Sequence, residues 1–212
     1  MRVIIAAGGD RPSKRELLQY VKRYDQVVAA DGACNWLYPY GVTPQVVVGD
    51  MDSIKPGVLK AIEREGARLV RAPREKDDTD LMLAARYAAE ELKAQEAVVF
   101  GGLGGRLDHT LGNLQVLAYL KNKGVDAFMV DENAIVQLMK GQGQIVADVG
   151  STVSILPYLG NAVVTVADGR LKYPLQALEL RGDFPMGLSN VMETAKVSLK
   201  IEGAVLVIIN RK

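Results

Sequence analysis

The chain has 212 residues, with 26 Lys and Arg set against 25 Asp and Glu, one His and one Cys, for a formal net charge of +1. That balance lacks the basic excess of a nucleic-acid binder, and a single cysteine, Cys34, excludes an internal disulfide and fits a reducing cytoplasm. The opening MRVIIAAGG is too short for a signal-peptide core, and no apolar run reaches the roughly 18 residues of a membrane span, so no membrane partner is expected.

In chain order, short apolar runs alternate with helical patterns. Strands are expected at residues 2–7, 26–30, 45–48, 68–71, 97–100 and 126–130, where near-continuous Val and Ile suit burial on both faces. Helices are expected at 13–23, which opens with the capping-box pair Ser13 and Glu16, and at 79–93 and 108–123. This alternation implies right-handed crossovers and an α/β fold, a mostly parallel doubly wound sheet with helices on both faces. Beyond residue 131 the rhythm shortens to alternating stretches at 134–139, 144–147, 152–156, 162–166, 195–201 and 205–209, broken by Gly, Pro and turn pairs such as Asp168-Gly169. A smaller all-β, sandwich-like domain is expected there, dividing the chain into residues 1–130 and 131–212.

Chemistry concentrates in the first part, where nine of the 16 acidic side chains of residues 1–125 are aspartates. In VVVGDMDS (46–53) a buried strand runs into Asp50 and Asp52. Residues i and i+2 of extended chain share a face, and two adjacent carboxylates repel unless a cation lies between them. Oxygen-only ligation suits Mg²⁺, and the carboxyl end of a parallel strand is where open α/β sheets bind ligands. The plainer alternative is a turn capped by Asp50. In KDDTD (76–80), Asp77, Asp78 and Thr79 can each cap the helix that follows, but three acids in four residues exceed what a cap needs. In FGGLGGRLDHTLGN (100–113), glycines let backbone approach a phosphate, a helix N-terminus supplies N–H donors, and Arg106 can fork onto phosphate oxygens. No Gly-Lys-Ser/Thr follows, so it is not a Walker-A loop; Asp108 is by default an N-cap and His109 a first-turn helix residue. These loops, with Asp31 in AADGAC, all lie at strand ends or helix starts, which a parallel sheet brings to one edge. Carboxylates, an arginine and a glycine loop gathered there require divalent metal and polyphosphate, which points to a Mg²⁺-nucleotide phosphotransferase or pyrophosphotransferase of unspecified acceptor.

The same residues resemble the thiamin pyrophosphokinase family over nearly the whole chain. Ala30-Asp31-Gly32 with Asn35, Gly49-Asp50-Met51-Asp52-Ser53, Lys76-Asp77-Asp78-Thr79-Asp80 and Gly104-Gly105-Arg106-Leu107-Asp108-His109 are similar to its elements in order and spacing. Leu156-Pro157, the stretch from Gly169 to Pro174, and Gly187-Leu188-Ser189-Asn190 resemble three landmarks of its second domain. The resemblance implies transfer of the pyrophosphoryl group of ATP to the hydroxyl of thiamine, giving thiamine diphosphate and AMP. It also implies a homodimer with thiamine near the subunit interface.

Carried over residue by residue, Asp50, Asp52, Asp77 and Asp80 would handle Mg²⁺ and the phosphates, with Arg106 as a further catalytic group. Asp31, Gly32, Asn35, Ser53, Lys76, Thr79, Gly104, Gly105, Arg106, Asp108 and His109 would bind ATP, and Ser189 and Asn190 would hold thiamine. Asp78 falls on the family's variable position. Ala33 and Cys34 stand where the family pattern has Gly-Ala, a harmless change unless the backbone at 33 needs positive φ. Trp36 is expected to pack; Tyr158, Tyr173 and Phe184 are the second-domain aromatics available to a thiamine ring. Two other readings compete: a Mg²⁺-dependent pyrophosphokinase acting on a pterin alcohol, and a non-catalytic nucleotide-binding regulator, which would have eroded the carboxylates present here.

Overall fold

The computed structural model describes residues 1–73 and 77–211, and the chain divides into two compact units, Met1–Glu132 and Asn133–Lys212. In the first unit, β1 (Arg2–Ala6) leads to α1 (Lys14–Val21), whose N-cap Ser13 accepts a hydrogen bond from the Glu16 amide. Next come β2 (Gln26–Ala30), a single tight turn at Asp31–Ala33, α2 (Cys34–Leu37), β3 (Val46–Gly49) and α3 (Pro56–Arg64). β4 (Arg68–Arg71), α4 (Asp80–Arg86) with a wider turn at Tyr87–Glu91, β5 (Glu96–Phe100), α5 (Leu107–Asn122) and β6 (Asp126–Val130) complete it.

Strand order within this unit is β6-β5-β1-β2-β3-β4, and every neighbouring pair is parallel. The order runs outward from β1 to β4, then returns to the other edge of β1 for β5 and β6. The central strands read as continuous apolar runs because they are covered on both faces: Ile4, Ile5, Val28, Val47, Val98 and Val99 are fully buried. Each such side chain contributes about 1.5–3 kcal/mol through burial. Their registers, Ala6 opposite Phe100 and Ala29, and Ala30 opposite Val48, bring the carboxyl ends to a common level.

The second unit is all β. It contains β7 (Ala134–Val146), β8 (Thr152–Pro157), β9 (Ala162–Asp168), β10 (Leu178–Leu180), β11 (Asn190–Val191) and β12 (Lys196–Asn210). The stretches expected at 134–139 and 144–147 are one strand, and so are those at 195–201 and 205–209. Glycines suggested breaks, but Gly141 (φ 70°) and Gly203 (φ 88°) instead sit at the irregularity where pairing of β12 with β7 slips between Ile201 and Ala204. At that bulge β12 passes its other edge from β9 to β8. A strand that changes partner at a bulge can serve both layers of a sandwich, and one core collects Ile145, Val153, Ile155, Val164, Leu180, Val197, Leu199, Val205 and Val207. Among the described residues no helix is long and apolar enough to cross a membrane.

Candidate active site

A cavity of about 820 Å³ opens at the carboxyl ends of the first unit's strands. Its walls are the loops that follow them: Ala7 to Asp10 after β1, Asp31 and Gly32 after β2, Asp50 and Ser53 after β3, and Gly101, Gly104, Gly105, Arg106 and His109 between β5 and α5. Asp78, Thr79 and Asp80 close it at the start of α4. The sheet reverses its winding between β1 and β5, and this crevice is the usual ligand site of such folds.

Three carboxylates meet on one side. Asp31, Asp50 and Asp52 each offer an oxygen lying within 4.8 Å of the others. Asp31 is buried (3% exposed) and has φ 35°, uncommon for a non-glycine residue. Its Oδ2 accepts from the Ser53 amide at 3.3 Å, whereas buried Oδ1 has no hydrogen-bond partner among the described residues. Burial raises the pKa of this carboxyl, and the nearby charges of Asp80 and Asp50 raise it further, against the lowering effect of Ser53. An orphaned buried carboxylate oxygen beside two more carboxylates is an unfavourable arrangement that an oxygen-binding cation would relieve. The donor set suits Mg²⁺.

The sequence reading placed Asp50 and Asp52 side by side through extended backbone. Instead they are brought together by a turn: Met51 is buried with φ 69°, and the Asp52 amide donates to Asp50 Oδ1 at 3.0 Å. Asp31, read as a nucleotide contact, lies within the carboxylate group. Asp80 approaches from α4, its Oδ1 3.2 Å from where a Gly49 β-carbon would stand. Thr79 caps α4, accepting from the Met82 amide, and Asp78 pairs with Arg86 at 3.0 Å. Asp77 and Asp52 are exposed and stand outside the cavity lining, Asp52 within reach of Asp31 and Asp50, and Lys76 lies outside the described residues.

In the same cavity, the glycine loop approaches its neighbours closely. Asn113 Nδ2 donates to the Gly102 carbonyl and Thr110 Oγ1 to that of Gly104, so α5 anchors the loop it follows. Gly105, Arg106 and His109 are exposed. Arg106 forks onto Asp108, through Nε to Oδ1 at 3.1 Å and Nη2 to Oδ2 at 2.5 Å, and holds its carboxyl down to about 2. The N-cap position is Arg106, so Asp108 sits inside the helix, where its Oδ1 also accepts from the His109 amide.

Two asparagines bond backbone of other loops, and one of them, Asn35, also lines the cavity. Asn35 Nδ2 donates to the Ser53 carbonyl at 2.8 Å, and its Oδ1 accepts from the Lys55 amide, tying the loop after β2 to the loop after β3. Gly32 makes this approach possible, since a β-carbon there would lie 3.2 Å from that of Ser53. In the second unit, Asn190 is buried and brackets Tyr173, donating to its carbonyl and accepting from its amide. Ser189 is exposed at φ 56°, with its amide donating to buried Ser154. Tyr173 and Phe184 are exposed and Tyr158 half-buried.

Ala33 has φ −58°, so replacing a glycine there costs no backbone strain. The Cys34 thiol is pushed up to about 12 by burial, and Trp36 is buried and donates to the Ala7 carbonyl. Sequence reasoning passed over Asp10 and Asn113, both in the cavity wall. For Asp10 the available signal was Gly8-Gly9-Asp10 directly after the first strand; for Asn113, nothing local marked it.

Residues 17–129 match the family model described as "Thiamin pyrophosphokinase, catalytic domain". Over 207 residues the chain is 27% identical to the thiamine pyrophosphokinase of Bacillus subtilis, covering 97% of this chain and 96% of that one. It is 27% identical to thiamin pyrophosphokinase 1 of Caenorhabditis elegans, covering 84% and 76%. Among solved structures, the thiamine pyrophosphokinase of Bacillus subtilis superposes with a TM-score of 0.88 at 24% identity, covering all of both chains, which speaks to the fold. A thiamin pyrophosphokinase family protein from Enterococcus faecalis gives 0.84 at 25%, again over both whole chains. With its catalytic-domain match covering more than half of its length, and with Asp31, Asp50 and Asp52 inside that match, the chain belongs to the thiamin pyrophosphokinase family.

Proposed function

We propose that this chain is a thiamine diphosphokinase, moving the pyrophosphoryl group of ATP onto the hydroxyl of thiamine and releasing AMP. The observation that carries the reading is the carboxylate group of Asp31, Asp50 and Asp52, with Asp31 Oδ1 buried and unpartnered among the described residues, and with Asp31 and Asp50 lining the same cavity as a glycine-rich helix start. Family membership supplies the acceptor and the donor.

Asp31, Asp50 and Asp52 would hold Mg²⁺, with Asp80 beside them and Asp77 a further candidate from its place in the family pattern. Bound there, the ion would supply positive charge against that of the β- and γ-phosphates. The protein's own contribution is placement and fixed electrostatics, which dominate when charge is spread over phosphoryl oxygens. Gly105, with open space where a side chain would stand, would let the phosphate chain close to the backbone at the start of α5. Arg106 contributes a guanidinium once it releases Asp108, exchanging one set of anionic oxygens for another. Ser53, Gly32 and Asn35 hold the loops that carry Asp31 and Asp52 in register, and Thr79 sets the start of α4 so that Asp80 faces them. His109 lines the cavity and has no necessary proton to carry if the transition state is loose.

By resemblance, Ser189 and Asn190 belong to the thiamine pocket and the active species is a homodimer; the single cysteine fits a cytoplasmic location. Asn190 would act there by shaping the Tyr173 backbone. Incubation of the purified chain with ATP, Mg²⁺ and thiamine tests the reading. AMP and thiamine diphosphate in equal amounts are expected; ADP as the product, or no turnover, would overturn it.

A further inference from the structure

We infer that Asp10 is the residue by which the site recognises its nucleotide, its carboxylate accepting hydrogen bonds from the ribose hydroxyls; this rests on the reading of the chain as an ATP-dependent pyrophosphokinase. Asp10 stands where the loops after β1 and β5 meet, at the point where the sheet reverses its winding. It is held there by backbone. The Gly9 amide donates to the Gly101 carbonyl at 2.9 Å and the Asp10 amide to that of Leu103 at 3.4 Å. Its carboxylate fills the space that Gly104 leaves: a β-carbon at Gly104 (φ 77°) would lie 1.9 Å from Asp10 Oδ2.

The side chain is exposed and makes no hydrogen bond or ion pair among the described residues, and it is separate from the Asp31, Asp50 and Asp52 group. An anchored, unspent acceptor in a ligand cavity selects for donors. Phosphate oxygens are acceptors and carry negative charge, so Asp10 cannot serve the phosphates that the adjoining glycine loop admits. The nearest neutral donors along a nucleotide, counting from the α-phosphate, are the ribose hydroxyls, and carboxylates hold ribose in this way at other sheet switch points. A hydrogen bond to a charged acceptor in a site built for it discriminates strongly against an analogue lacking the hydroxyl.

Calorimetric titration of the full chain in Mg²⁺ with ATP, 2′-deoxy-ATP and 3′-deoxy-ATP tests this. The unaltered chain is expected to bind ATP roughly tenfold or more tightly than at least one deoxy analogue. Asp10→Ala, checked for folding by circular dichroism, is expected to bind all of them alike, with ATP weakened about ten- to hundredfold. Asp10→Asn, which keeps the shape and one acceptor, is expected to fall between. Equal binding of ATP and both analogues by the unaltered chain overturns the inference whether or not the variants fold, and so does a ribose preference that survives in folded Asp10→Ala. Ribose discrimination that depends on Asp10, in a chain that forms no thiamine diphosphate, would keep this inference and remove the pyrophosphokinase reading; absence of ATP binding removes both.

Discussion

Gly49 and Asp31 occupy a space that admits only one side chain. A β-carbon on Gly49 would lie 2.8 Å from that of Asp31, and Gly49 itself has φ 148°. The end of β3 is therefore bare so that the buried aspartate at the end of β2 can lie against it, with Asp80 on the same spot from α4. Three unusual backbone conformations meet here: Asp31, Gly49 and Met51 all have positive φ. Strain of this kind persists where the surroundings hold it, and here it converges on the carboxylates.

Gly49→Ala tests that relationship. The added methyl must push Asp31 aside and adopt a backbone conformation that costs about 1–3 kcal/mol. Steady-state assay should show turnover reduced roughly a hundredfold, since a displacement near 1 Å can cost that much. The midpoint of thermal unfolding should fall as well. Unchanged turnover would mean that Asp31 does not work from the position it holds.

Asp31→Asn should separate stability from activity. The substitution removes a buried charge lacking a partner on Oδ1 among the described residues, and Asn tolerates the left-handed backbone at least as well. Without metal the variant should be about 1 kcal/mol more stable than the parent, read as a rise of ~2–4 °C in a chain of this size. Added Mg²⁺ should raise the melting point of the parent and not of the variant, because only the parent binds it well. Turnover should fall by roughly 10²–10³, as should that of Asp50→Ala and Asp52→Ala. A variant that is less stable and equally active would sink the assignment.

The Arg106–Asp108 fork makes a prediction about pH. Arg106 holds the Asp108 carboxyl down to about 2, so the pair is complete above the ordinary carboxylate range and is lost only as pH falls towards that value. From about pH 5 to 9 neither partner changes charge. Asp108→Asn should therefore move activity by the same factor across that range and leave the shape of the pH profile unaltered, while Arg106→Ala should lower turnover by at least ~10-fold. A profile that changes shape in Asp108→Asn would assign Asp108 a titrating role.

Asn190→Ala should behave as a folding variant first. It removes the two part-buried hydrogen bonds to the Tyr173 amide and carbonyl, at a cost of about 0.5–1.5 kcal/mol each. Denaturant unfolding should show that loss, and KM for thiamine should rise more than KM for ATP. A variant of parental stability with raised thiamine KM would make Asn190 a direct ligand instead.

Much of this site was legible before any fold was known. Asp50, Asp52, Asp80 and the glycines of 101–105 follow buried strands or begin helices, and parallel winding sends all such points to one edge whatever the details of packing. Local chemistry was equally readable where it is truly local: Ser13 and Thr79 cap their helices because a hydroxyl three residues ahead of an amide needs nothing distant. Family motifs carried the acceptor, thiamine, which no composition or spacing could name.

Other features required the chain to fold. Asp31 reads as one polar residue in AADGAC, and only the approach of Gly49 and Ser53, 18 and 22 residues on, buries it beside Asp50 and Asp52. Asn35 and Asn190 look like ligand contacts in a motif, and only the fold shows that each also bonds backbone of another loop. Asp10 had only the preceding Gly8-Gly9 to mark it, and its place against Gly104, on the far side of β5, needed the fold. Sequence by itself determined the strand and helix alternation, the acidic loop ends and the family, because these depend on periodicity and short spacing. Tertiary structure decided which carboxylates share one space and which polar groups remain unspent, because those depend on contacts between residues far apart in the chain.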